Sequence, residues 1–292
     1  MKTATIGILT LTFLFSSCRI ADLRTDSIKE NQLTEALSAK GNLLIKNAIE
    51  KQGFDKIDQY KTYEAIGSDH WKGLLGKIGT TWKWKKEKMA MRYTIGDFDG
   101  QVEVLEGKKK GFIAGIQSFD YYEIENGKYD SNVKDQKRIM FGLAAYHYFF
   151  EIGARLKNAS VIQYIGEETF KEEKMHKVFA SWGTERTKDY DQYVLFIGDK
   201  SGLVEAVSHT VRDAYLPGSG PLHSSTRFDD YREVGGVMIP FSTTVQIFDV
   251  KDNINKYLHQ FTLSSFSWDA VDEESIRPNK TIKSLGDDKP TS

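Results

Sequence analysis

Residues 228–248 read Phe228-Asp229-Asp230-Tyr231-Arg232-Glu233-Val234-Gly235-Gly236-Val237-Met238-Ile239-Pro240-Phe241-Ser242-Thr243-Thr244-Val245-Gln246-Ile247-Phe248. Two extended runs flank one glycine pair. Gly235-Gly236 suits a two-residue hairpin turn, whose backbone needs positive φ. Beyond it, Ile239, Phe241, Thr243, Val245 and Ile247 alternate with Ser242, Thr244 and Gln246. A period of two predicts a strand with one dry face and one wet face.

The same signal extends outward. Tyr257, His259, Phe261 and Leu263 repeat the alternation, and Leu203, Val207 and Val211 follow it less cleanly. Strands are predicted at 161–169, 174–182, 192–197, 203–211, 225–234, 237–248 and 257–266. An earlier group is predicted at 60–66, 80–85, 88–95, 101–106, 111–116 and 121–125, divided by turn residues such as Asp99-Gly100 and Asn126-Gly127. Short strands at regular spacing predict an antiparallel meander. The 12% aromatic content favours a sheet-rich fold over disorder.

Two helices are predicted. Leu37, Leu44, Ile45, Ala48 and Ile49 recur near helical spacing over 35–52, and Gly53 supplies a stop. The second covers 134–156 and is apolar nearly all round from Ile139 to Phe150, so it is expected to be buried on more than one side. Its apolar part is about half the roughly 20 residues a membrane span needs. Neither group of strands looks able to cover both of its faces alone. One continuous sheet across residues 35–270 is therefore preferred, with a polar tail over 271–292.

The chain opens with Lys2, an apolar run from Ile6 to Phe15, then Ser16-Ser17-Cys18. This is the order of a signal peptide over 1–17. Cys18 is the only cysteine, so no intrachain disulfide can form. Phe15-Ser16-Ser17-Cys18 resembles the lipobox of bacterial lipoproteins, although Phe15 stands where leucine is usual. That resemblance implies acylation of Cys18 and anchoring through acyl chains, each buried methylene adding about 0.8 kcal/mol. Residues 18–34 are then expected to be a tether.

The helix ending in Lys51-Gln52-Gly53-Phe54, running into a strand, and the Phe228–Pro240 hairpin together resemble the lipoprotein-localisation-factor superfamily. The superfamily contains periplasmic carriers and outer-membrane lipoproteins. The hairpin resembles that of uncharacterised Bacteroidetes-type lipoproteins. The resemblance implies a half-open antiparallel barrel, with an N-terminal helix and a long apolar helix plugging it. It also implies an envelope location, in the outer membrane facing the periplasm.

Motifs for chemistry are sparse. No G-x-S-x-G, H-E-x-x-H or P-loop pattern occurs. His147 and Glu151 could share a helix face, but no third metal ligand is evident, so a hydrogen-bonded histidine is preferred. Asp97-Phe98-Asp99-Gly100 resembles half a calcium loop and reads better as a hairpin turn. Lys83, Lys85, Lys86 and Lys88 alternate with Trp82 and Trp84, and Lys108-Lys109-Lys110 follows. Solvated sheet edges explain these clusters better than nucleic acid does.

The sequence reading is thus a mainly β, α+β fold without cofactor or metal, binding a lipid or other apolar ligand without catalysis. The ligand pocket is assigned to Phe141, Tyr146, Phe149, Phe150, Trp71 and Trp82. Two alternatives stay open. One is an envelope protein–protein interaction module. The other is a carboxylate-dependent hydrolase using Asp189 with Asp191, or Asp229 with Asp230.

Overall fold

A computed structural model of the chain describes residues 20–84, 88–184, 188–212, 215, 220–253 and 255–286. Cys18, the signal segment 1–17, Lys85 and Lys86 lie outside the described residues. In chain order the elements begin with α1 (Asp26–Lys29), α2 (Glu35–Gln52), β1 (Thr62–Trp71) and α3 (Gly73–Gly79). The strands β2 (Lys88–Thr94), β3 (Gly100–Val104), β4 (Ile113–Gln117), β5 (Asp120–Glu125) and β6 (Lys128–Asp130) follow. After α4 (Lys137–Leu156) come β7 (Val161–Phe170), β8 (Glu173–Ser181), β9 (Gln192–Gly198) and β10 (Val204–Thr210). The last elements are β11 (His223–Val234), β12 (Val237–Ile247), β13 (His259–Trp268) and α5 (Glu273–Ile276).

All 13 strands form one open antiparallel sheet in the order β6-β5-β4-β3-β2-β1-β13-β12-β11-β10-β9-β8-β7. The chain walks from the centre to one edge, crosses to the other edge through α4, and walks back to pair β13 with β1. The sheet must curve. α4 touches both β4 and β12, which a flat sheet would hold ~24 Å apart at ~4.8 Å per strand. A helix is only about 10–12 Å across.

Gly235 and Gly236 both have positive φ, 60° and 83°, as the hairpin reading requires. Gly53 ends α2 in the left-handed region, at φ 78°. A Cβ there would strike the carbonyl of Gly236. The two sequence features behind the family resemblance therefore pack against each other. A 3₁₀ segment, Phe54–Gln59, separates α2 from the strand it was expected to enter directly.

The predicted strand at 80–85 is absent from its described part. Both neighbours of β1 are already taken by β2 and β13, so residues 80–84 have no ladder to join. Trp82 and Trp84 still bury together, stacked at 5.5 Å, while Lys83 reaches solvent and lies 4.0 Å from Glu123. β6 was not predicted.

Three expected solvent-facing regions are covered. Ile28 of α1 is fully buried against Val161, Phe179 and Phe196, on the face of β7–β9 opposite the helices. The Ala21 amide donates to Gly220 O at 2.7 Å, and the Leu23 amide to Gln192 Oε1 at 2.6 Å. Residues 21–33 are thus not a free tether, because their apolar side chains find a second apolar face on the sheet. The supposed wet face of β12 is closed at Thr244 and Gln246. Gln246 Oε1 accepts from the Lys251 amide at 2.7 Å, and Nε2 donates to Lys256 O at 3.0 Å.

The tail is the third. Ile276 is fully buried, and Arg277 donates to Asp99 Oδ2 at 2.7 Å and to Asp97. The 97–100 segment is the β2–β3 turn, and its two buried acids face a guanidinium. Arg277→Ala is expected to cost about 2–3 kcal/mol, as hydrogen bonds to charged groups do. Arg277→Lys should restore only part, because lysine lacks the fork. Urea unfolding midpoints measure both.

Candidate functional site

β1 places Tyr63, Ala65, Gly67, Asp69 and Trp71 on one face by strand alternation. Tyr63, Ala65 and Asp69 are all buried. An acid on an apolar face is costly unless its oxygens are satisfied. Asp69 Oδ2 accepts from Trp71 Nε1 at 2.7 Å, from Trp82 Nε1 at 3.0 Å and from the Tyr146 hydroxyl. Its Oδ1 lies 3.0 Å from Nδ1 of His259.

Aromatic rings surround this carboxylate. The β1–β13 register sets His259 opposite Trp71, and their rings stack at 4.1 Å. Tyr146 lies 5.3 Å from Trp82, 4.5 Å from Phe149 and 5.4 Å from Phe261. Burial and the nearby Asp69 charge push the Tyr146 phenol well above its usual pKa, so it stays a donor. α4 approaches closely at Gly142, where a Cβ would meet Thr81 and Trp82.

The structure brings together four of the six assigned pocket residues: Trp71, Trp82, Tyr146 and Phe149. Of the other two, Phe150 reaches the cage at Phe261, 6.3 Å away. Phe141 packs on Tyr215 at 5.1 Å, and Phe150 joins Tyr63 and Phe266 in the core at 5.7 and 5.6 Å. Asp69, His259 and Phe261 were missed. His259 and Phe261 stand in the alternation read over 257–263, whereas Asp69 lies beyond the strand expected at 60–66, which in fact runs to Trp71.

A second buried polar cluster sits further along α4. Glu151 Oε1 accepts from the Tyr63 hydroxyl at 2.7 Å and lies 3.0 Å from His147 Nδ1. Arg155 lies 3.1 Å from Oε2. His147 and Glu151 do share a face, as their spacing suggested, and the group beside them is a guanidinium. Burial and Arg155 both lower the His147 pKa. Burial alone would raise that of Glu151, and Arg155, His147 and Tyr63 together hold it below its usual value. Among the described residues no group of three or more His, Cys, Asp or Glu is arranged to hold a metal.

Of the acid pairs considered for hydrolysis, Asp229 and Asp230 have separate cations. Asp229 pairs with Lys171 at 2.9 Å and Arg227 at 2.7 Å, while Asp230 pairs with Arg232 at 2.6 Å. Asp191 accepts from the Arg212 amide at 2.8 Å, and Asp189 is exposed. Lys109 of the second basic cluster pairs with Glu125 at 3.1 Å.

Two surface clefts are open. One, of ≈ 640 Å³, is lined by Lys61, Asp269, Asp272, Glu273 and Glu274. The other, of ≈ 360 Å³, is lined by Glu50, Lys51, Lys56 and Glu233. Neither is lined by the aromatic cage. No described helix is long and apolar enough to cross a membrane.

No family model and no curated protein matches the chain. Solved structures do. A LolA superfamily protein from Nitrosomonas europaea aligns over 81% of this chain and 96% of its own, at 9% identity and TM-score 0.49. A putative outer membrane lipoprotein-sorting protein domain from Vibrio parahaemolyticus aligns over 83% and 98%, at 9% identity and TM-score 0.49. Lipoprotein LppX of Mycobacterium tuberculosis aligns over 79% and 97%, at 10% identity and TM-score 0.26. These neighbours are LolA-superfamily and lipoprotein proteins.

Proposed function

We propose that this chain is an envelope lipoprotein that binds a lipid or other apolar molecule on the helix-bearing face of its sheet, without catalysing a reaction on it. In this reading residues 1–17 are removed, Cys18 carries the acyl anchor, and the domain faces the periplasm from the outer membrane. α4 is the plug of a half-open barrel.

One observation carries the binding reading: the cage around Asp69. Its only carboxylate is occupied by indole, phenol and imidazole donors, which leaves ring faces as the binding surface. Such a surface gains affinity by burying apolar area. Ligand entry requires the first half of α4 and residues 80–84 to separate, and the Gly142 contact is where they meet.

The test uses the chain from Ile20 onward, which contains every described element of the fold. Native mass spectrometry after incubation with long-chain fatty acid and with phosphatidylethanolamine should show a stoichiometric adduct. Tryptophan emission should change with it, because Trp71 and Trp82 line the cage. A protein that stays empty with both lipids overturns the binding reading.

A further inference from the structure

α3 carries the two least buried apolar side chains among the described residues, and a third that is half exposed. Leu74, Leu75 and Ile78 are 73%, 60% and 51% exposed. Positions i, i+1 and i+4 lie on one side of a helix. The other side is pinned: Gly76 backs onto Trp71 and Leu258 O, and the Tyr215 hydroxyl bonds Gly79 O. The outward side is not turned out by chance, because the helix has no room to roll. Single exposed leucines are ordinary, but three together on seven residues mark a contact surface.

The place of α3 says what the contact is. The register runs Trp71↔His259↔Val245, Ser224↔Ile247, Thr210↔His223, His209↔Tyr193 and Gln192↔Ser181. These pairs trace one end of the sheet, and α3 extends from it. Leu222 and Phe248 are exposed at the same end. The docked N-terminal segment begins there too, through Ala21 on Gly220 and Leu23 on Gln192. Lys72 and Lys77 flank the apolar side of α3, and Lys256 is exposed on the loop that Lys72 contacts through Asn255 O at 3.0 Å. The acids at this end include Asp249, facing His223, Asp22, paired with Arg24, and Asp191, which takes the Arg212 amide; Asp252 takes the Lys171 amide.

We propose that this end of the molecule docks on a lipid bilayer with anionic headgroups. Leu74, Leu75 and Ile78 enter the interface, and Lys72 and Lys77 meet the headgroups. The chain outside the described residues supports the same orientation. Cys18 stands three positions before Ala21, a reach of about 10 Å. An acyl group on Cys18 would hold this end against the membrane. That second argument rests on the anchoring reading, whereas the α3 contact stands without it.

The test is co-sedimentation of the unacylated chain from Ile20 onward with vesicles of phosphatidylcholine, alone and mixed with phosphatidylglycerol. Binding to the mixed vesicles is expected, weakening with salt. Leu74→Ser/Leu75→Ser/Ile78→Ser should lower it about tenfold or more. Lys72→Glu/Lys77→Glu should remove the preference for the anionic lipid. Circular dichroism checks that each variant folds. Failure of the parent chain to bind, or unchanged binding by the leucine variant, overturns the proposal. So does a lipid-free dimer in sedimentation velocity that the leucine variant abolishes, since α3 would then pair two copies of this chain. None of these outcomes depends on whether the cage holds a ligand.

Discussion

Asp69→Ala is expected to destabilise the fold by roughly 3–6 kcal/mol. The substitution leaves Trp71 Nε1, Trp82 Nε1, the Tyr146 hydroxyl and His259 Nδ1 without their shared acceptor. A stranded buried donor costs about 1–3 kcal/mol, and donors on one acceptor do not add fully. Asp69→Asn keeps one acceptor oxygen but turns an NH₂ group toward donors. It should fall between wild type and the alanine variant. Urea unfolding followed by far-UV circular dichroism measures both, and tryptophan emission reports the local change. A loss below about 1 kcal/mol for Asp69→Ala would mean that the cage is not organised by its carboxylate.

Glu151→Ala is expected to cost about 3–5 kcal/mol, since removing one partner of a buried ion pair leaves the other charge uncompensated. Arg155 and Glu151 side chains are 5% and 3% exposed. The Tyr63 hydroxyl also loses its acceptor. Replacing both charges, as Glu151→Leu with Arg155→Met, should be less damaging than Glu151→Ala alone, because the desolvation cost disappears with the pair.

The same cluster sets an acid response. The folded pKa of His147 lies below its ordinary 6.5, so the unfolded chain binds the extra proton first. Stability from this group is full above about 6.5 and falls as pH drops through that value. His209, held down to about 4 by burial, acts with the same sign. Glu151, also lowered, contributes above its ordinary 4.5 and loses that contribution as pH falls further, through its folded value. Unfolding free energy should therefore decline in two stages on acidification. His147→Gln should reduce the first stage and, because His147 is one of the groups that lower Glu151, lessen the second as well.

Much of this fold was legible because strand and helix periods are local. Five of the six strands expected before the long helix, the helix itself and the seven strands after it were readable from alternation and turn residues. α2 was readable to its end residues. What failed depended on partners far along the chain. Residues 80–84 carry strand-like alternation, yet β1 had no free edge to offer them. Ile28 and Ile276 looked like parts of polar ends, because the surfaces that bury them are built from residues more than a hundred positions away. The cage was half legible. Its aromatic members announced themselves by type, while Asp69 and His259 looked like ordinary polar residues. Only the pairing of β1 with β13 sets them face to face.

That seam also dictates the order in which the molecule can be completed. Lys61 and Thr62 donate to Asp269, 208 and 207 positions away, and β1 pairs with β13 along its whole length. The β1–β6 meander can form from local contacts soon after it emerges. Its central edge then stays unpaired until almost the last strand has been made. Closing so long a loop comes late and slowly, as high contact order demands. Until then β1 presents an open strand edge with Asp69 at its end, a surface prone to wrong pairing. A chain of this topology folds fastest after it is whole.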